Sequence, residues 1–142
     1  MANRFAIALL CGLAIVETSG PAAPVGKESK PTSERLKELQ KERIKFLEEY
    51  LEGLSNRVKL RPELLNNFIE GVRELADAEL DVAESREQRL AVHERTVKRL
   101  QDREDKTANL VATGMDNKHN LALIKAARIK AEIQLEKMKL SR

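Results

Sequence analysis

Leu110-Val111-Ala112-Thr113-Gly114-Met115-Asp116-Asn117-Lys118-His119-Asn120-Leu121-Ala122-Leu123-Ile124-Lys125-Ala126-Ala127 is the stretch on which the fold turns. A helical apolar pattern runs into it, one glycine interrupts, and the pattern restarts with small residues on it. Gly114 suits the C-terminal cap of one helix, because glycine enters the left-handed region without a Cβ penalty. Asn117 suits the N-cap of the next, because its side-chain oxygen can accept an orphan backbone N–H. The stretch reads as a helix end beside a helix start.

Working outward, the helix after it shows Leu121, Ile124, Ala127, Ala131, Leu135 and Met138, with Ile129 and Ile133 widening the same face. Alanines at 122, 126, 127 and 131 permit close helix approach. The helix before it places Leu90, Val97, Leu100 and Val111 on one seam, with His93, Glu104 and Thr107 at other seam positions. Polar residues on a seam lower stability, fix register, or mark where a partner or water enters. Ser85-Arg86-Glu87-Gln88 is a capping box, in which Ser85 and Gln88 satisfy each other's backbone N–H groups. It predicts the turn of an antiparallel helical pair; the alternative is a helix running straight through.

Further back, Gly53, Ser55-Asn56 and Pro62 mark another break, since Pro62 lacks the N–H that a helix interior needs but suits a first turn. Beyond it the pattern resumes with Leu65, Phe68, Ile69, Val72, Leu75, Leu80 and Ala83. Before it, Ile44, Leu47, Leu51, Leu54 and Val58 have the 3-4 spacing of a coiled-coil seam. Pro31-Thr32-Ser33-Glu34 reads as the first helix start, a hydroxyl cap with an acid in the first turn.

Residues 1–23 are a different kind of sequence. Arg4 precedes a continuous apolar run over 5–16, and Ser19-Gly20-Pro21-Ala22-Ala23 supplies small residues. That layout predicts a secretory signal peptide, its apolar run too short to span a bilayer. An uncleaved N-terminal anchor is the alternative. The chain has one Cys, Cys11, inside this run, so the processed protein would carry no disulfide. The expected location is exported, in the periplasm or at the outer membrane. Residues 24–31 read as a flexible linker, and 32–142 as one helical domain.

Charged residues make up 35% of the 142-residue chain and there is no Trp, a composition suited to helices with narrow apolar seams. Residues 34–84 carry nine basic and thirteen acidic side chains, whereas residues 85–142 carry fourteen basic and eight acidic. Arms of opposite charge attract, which favours pairing the first half with the second. The sequence therefore predicts an all-α fold, a long antiparallel helical hairpin or coiled coil with a kink or break in each arm. An unbroken arm of about 50 residues would be roughly 75 Å long at about 1.5 Å per residue. If each break instead reverses the chain, the result is a compact four-helix bundle.

No catalytic, cofactor-binding or metal-binding residue emerges. His93 and His119 lack a second histidine or cysteine at i,i+3 or i,i+4, and neither Glu87 nor Glu94 stands at metal spacing with His93. Ser85, Ser55 and Ser33 read as caps rather than nucleophiles, and the carboxylate rows read as solvated helix faces. The chain is not expected to be an enzyme, and no small-molecule substrate is identified. The last helix is basic, with Lys118, Lys125, Arg128, Lys130, Lys137, Lys139 and Arg142 against Glu132 and Glu136. Such a face suits an anionic membrane surface, but the favoured reading is a complement to the acidic first arm. Nucleic acid is disfavoured, because no aromatic residues interleave as stacking platforms.

Gly114-Met115-Asp116-Asn117-Lys118-His119-Asn120-Leu121, followed by Ala126 and Ala131, resembles the helix–break–helix pattern of the TolC family of outer-membrane efflux proteins. Val58-Lys59-Leu60-Arg61-Pro62-Glu63-Leu64-Leu65 resembles a second copy lacking its glycine. The resemblance spans roughly residues 40 to 140. It implies the helical hairpin region alone, without the family's strands or channel. The function it implies is a structural or interaction role in the cell envelope, through helical seams that pack with the protein itself or with envelope partners. The alternative is a periplasmic chaperone-like or membrane-surface-binding helical module.

Overall fold

In the computed structural model, residues 33–141 are described, and they form four helices joined by three chain reversals. The expected signal peptide and linker lie outside the described residues, and Ser33, read as a cap, is instead the first residue of the first helix. Helix α1 spans Ser33–Val58, α2 Leu65–Val82, α3 Arg86–Ala112 and α4 Lys118–Leu140. A single 3-10 turn, Pro62–Leu64, leads directly into α2.

The first reversal follows from Pro62. The N–H groups of Leu60 and Arg61 both donate to the Arg57 carbonyl at 2.9 Å, closing α1. Pro62 then opens the 3-10 turn, where its missing N–H is no loss. The second reversal is the capping box expected at Ser85. Gln88 N–H donates to Ser85 Oγ at 3.1 Å, and the N–H groups of Glu84 and Ser85 donate to Gln88 Oε1 at 2.7 and 3.2 Å. The third is the stretch around Gly114, whose φ of 74° lies in the left-handed region. Met115 N–H returns to the Leu110 carbonyl at 2.8 Å. Asn120 N–H donates to Asn117 Oδ1 at 2.8 Å, so Asn117 caps α4 as expected.

These reversals overturn the long hairpin. Its arms would have been α1 continuing into α2, and α3 continuing into α4. Instead α1 folds back along α2 and α4 folds back along α3, giving a compact all-α bundle of four antiparallel helices. The reason is burial. Leu51, Leu54 and Val58 of α1 and Leu65, Phe68, Ile69, Val72 and Leu75 of α2 belong to one core cluster. Folded back, the two apolar faces cover each other. In a continuous arm both would have depended on α3 and α4 alone, at about 25 cal/mol for each Å² left uncovered.

Helix α2 is the centre of the bundle. It packs against α1 and α3 and touches α4, while α1 does not run along α4. Gly71 lets α1 approach closely: a Cβ there would lie 2.9 Å from Leu51 Cδ2 and 3.2 Å from Tyr50 Cε1. Leu100 from α3 and Ile124 and Ala127 from α4 complete the core. The breaks at Pro62 and Gly114 end up at the same end of the bundle, where Asn120 Nδ2–H donates to the Pro62 carbonyl at 3.4 Å.

The seam of α3 also differs from the sequence reading. Its buried residues are Val92, Thr96, Leu100, Arg103, Glu104 and Thr107, whereas Leu90, Val97 and Val111 are half-buried. Helix α3 must serve α2 on one side and α4 on the other, so no single apolar stripe describes it.

Candidate functional site

Helix α4 carries two apolar stripes. At about 100° per residue, Ile124, Ala127, Ala131 and Leu135 point to the core. Ala122, Ala126, Ile129, Ile133 and Leu140 point the opposite way. Burial agrees: Ile124, Ala127 and Leu135 are buried, while Ile129, Ile133 and Leu140 are 45%, 49% and 80% exposed. Ile129 and Ile133 therefore do not widen the core face but form a second one toward solvent. Lys118 and Lys125 fall along one edge of this outer stripe, and Lys130 and Lys137 along the other.

The ion pairs of α4 leave that edge charge intact. Arg128, half-buried, is the anchoring cation: its Nε donates to Glu104 Oε2 at 2.6 Å and its Nη1 to Glu132 Oε1 at 2.5 Å. Hydrogen bonds to Glu104 and then Glu132 hold the Arg128 guanidinium above its ordinary pKa. Lys139 donates to Glu136 at 2.8 Å, and Arg86 Nη2 donates to the Met138 and Lys139 carbonyls at 3.1 Å each, securing the end of α4 to the start of α3. Among the described residues, Lys118, Lys125, Lys130 and Lys137 make no ion pair. Among the described residues, no cation of α4 forms an ion pair with an acid of the first arm. The acids of α1 pair elsewhere, as with Glu48 and Arg99 at 3.9 Å.

The histidines stay apart. His93 lines a groove between α2 and α4 together with Thr96 and Ala131, and His119 is exposed in the first turn of α4. No group of three metal-ligating side chains occurs among the described residues. Ser85 is a cap, whereas Ser55, also read as a cap, sits inside α1 and offers its carbonyl to Arg103. Glu87 lies in the first turn of α3, where its own backbone N–H and the Ser85 hydroxyl hold its carboxyl below the ordinary value. Glu94 is exposed on α3. Thr107 is fully buried, and its Oγ1 has no hydrogen-bond partner.

Arg103 is the residue the sequence reading passed over. It follows Leu100 by three and precedes Thr107 by four, which is seam spacing, and it is only 1% exposed. Its guanidinium carbon lies 5.7 Å from the centre of the Phe68 ring. Nη1 donates to the Ser55 carbonyl at 3.4 Å, while Nε and Nη2 have no partner. Burial pulls its pKa below the ordinary arginine value, opposed by the field of Asp116. The residue lines an open groove of about 300 Å³ between α1 and α3, floored by α2.

No protein-family model matches the chain, and no match is found among curated proteins or solved structures. With the compact bundle in place of an elongated hairpin, this overturns the TolC-like resemblance and the envelope role drawn from it. Among the described residues, no helix is long and apolar enough to cross a membrane.

Proposed function

We propose that the protein is a non-enzymatic module that binds anionic membrane surfaces through the outer face of α4. One observation carries the reading: an exposed stripe of Ala122, Ala126, Ile129, Ile133 and Leu140, edged on both sides by lysines without ion-pair partners. A helix lying in the plane of a bilayer interface needs this pattern, with apolar side chains entering the acyl boundary and lysines reaching lipid phosphates. Each lysine near an anionic leaflet contributes about 1 kcal/mol, so the four supply roughly 4 kcal/mol, about a thousandfold in partitioning. Isoleucine and leucine between the lysines favour lipid over nucleic acid, which would use aromatic platforms.

Co-sedimentation with vesicles tests it. The protein should pellet with phosphatidylglycerol-containing vesicles, not with pure phosphatidylcholine, and should be released by high salt. Replacing Lys118, Lys125, Lys130 and Lys137 with Gln should abolish pelleting. Equal binding to both vesicle types, or undiminished binding by the four-fold variant, would refute the proposal.

A second reading rests on the start of α1. Leu36 is exposed there beside the exposed Val82, and Leu39 is exposed on the same helix, which favours a docking face for a protein partner, including a second copy. Light scattering after size exclusion tests the second-copy case, with a strictly monomeric species counting against it.

A further inference from the structure

Helix α1 lies at the edge of the bundle: among the described residues, α2 is the one helix that runs along it. Its seam of Ile44, Leu47, Leu51, Leu54 and Val58 is used up in the core. A second seam runs beside the first. Leu36, Leu39, Arg43, Phe46, Tyr50 and Gly53 follow one another at the 3-4 spacing of a coiled coil. At about 100° per residue they share an arc of roughly 100°. That arc lies on the flank turned away from α3, whose side of α1 is marked by Glu48, Glu52 and Ser55 in the groove between the two helices. Leu36, Leu39, Phe46 and Tyr50 are 54%, 45%, 58% and 48% exposed. Single exposed apolar residues are ordinary, but a contiguous row of them marks a contact surface.

Reversed, this seam is its own complement. In an antiparallel pair of α1 helices, Leu36 meets Gly53, Leu39 meets Tyr50 and Arg43 meets Phe46 of the second copy, and a two-fold axis repeats each layer. Nothing lies within 4 Å of a Cβ built on Gly53, so the space there is open to the opposing leucine. Arg43, kept on this flank by Asp81 at 3.3 Å, comes beside the opposing Phe46 ring, where a guanidinium is attracted to the π face. Charge selects the same direction. Residues 33–45 carry five basic and three acidic side chains, and residues 46–58 carry one basic and three acidic. Antiparallel pairing lays the basic half of each helix on the acidic half of the other, whereas parallel pairing lays like on like.

We propose that α1 docks antiparallel on the α1 of a second copy of this chain, forming a two-fold dimer through the seam from Leu36 to Gly53. The proposal rests on the docking face read at the start of α1 and extends it along the helix. The paired stretch is about 26 Å long at about 1.5 Å per residue. It covers the four exposed apolar side chains of the seam in each copy and gives the helical glycine at 53 a role in the assembly. The outer face of α4 takes no part, so the pairing does not depend on the membrane-binding reading.

Sedimentation equilibrium of the full chain over a concentration series should show a reversible dimer. Phe46→Glu, at a mostly exposed position, should weaken it at least tenfold while its circular dichroism stays that of the wild type. Direction is read by cross-linking in a Cys11→Ser background. Leu39→Cys combined with Tyr50→Cys should join two copies through a short bis-maleimide. Leu39→Cys alone should not, because the two Leu39 positions lie about 16 Å apart along the pair at about 1.5 Å per residue. A dimer that Phe46→Glu leaves intact, or one cross-linked by Leu39→Cys alone, overturns the antiparallel pairing while the docking face at the start of α1 still stands. A chain that is monomeric at every concentration overturns the pairing together with the second-copy case of that reading.

Discussion

Two glycines inside helices give a paired test of how α1 and α2 meet. Replacing glycine by alanine in an exposed helix interior stabilises by roughly 1 kcal/mol through backbone entropy. At Gly53 nothing lies within 4 Å of a built Cβ, so Gly53→Ala should gain nearly all of it. At Gly71 the same methyl would press on Leu51 Cδ2 at 2.9 Å and on the Tyr50 ring at 3.2 Å. Tyr50 is half-exposed and can swing outward, but Leu51 is held in the core. Overpacking of this kind destabilises by about 1–3 kcal/mol. Set against the same propensity gain, Gly71→Ala should come out between neutral and about 2 kcal/mol destabilising. The two variants should therefore differ by about 1–3 kcal/mol, a gap of roughly 4 °C or more in Tm for a domain near this size. Urea and thermal unfolding followed by circular dichroism measure it. Equal stabilisation by both substitutions would mean that no helix crosses α2 at Gly71, and the folded-back arrangement of α1 would be wrong.

Other outcomes follow from single interactions. Ser85→Ala removes the side-chain acceptor of the capping box and should lower stability by about 1 kcal/mol in urea unfolding. Gly114→Ala places a Cβ at φ 74° and should destabilise by roughly 1–2 kcal/mol in the same assay, the opposite sign to Gly53→Ala. Glu104→Ala strands the half-buried Arg128 guanidinium beside Glu132 alone and should destabilise by about 1.5–3 kcal/mol. For Glu87, whose carboxyl is held below its ordinary value of 4.5, the charged form is the one the fold favours. Its contribution is present above that ordinary value and fades as pH falls through the lowered one, so Glu87→Gln should flatten the acid limb of a stability–pH curve and leave its neutral region nearly level.

The features legible in the sequence are the local ones. Ser85 with Gln88, Gly114 and Asn117 act through hydrogen bonds to neighbours a few residues away, so their residue types announce them. Whether the break near Pro62 kinks or reverses the chain is not local. It depends on the apolar faces of α1 and α2 finding each other, which no spacing within either helix encodes. Helix α4 shows the same limit differently. Its outer stripe of Ile129 and Ile133 has the helical period of the inner stripe, and periodicity alone cannot say which stripe faces water. Arg103 was hidden by its charge: its position fits the seam of Leu100 and Thr107, but a basic residue reads as solvent-facing unless the far side of its helix is known to be covered.

The claim that the outer face of α4 meets lipid can be tested with one fluorophore, because the chain contains no Trp. Ile133→Trp places a single reporter at the centre of the exposed stripe. On addition of phosphatidylglycerol vesicles its emission should shift to the blue and be quenched by lipids brominated in the acyl chain, while Phe46→Trp on α1 should stay unchanged. An Ile133→Trp spectrum that neither shifts nor quenches in the presence of anionic vesicles would contradict the account.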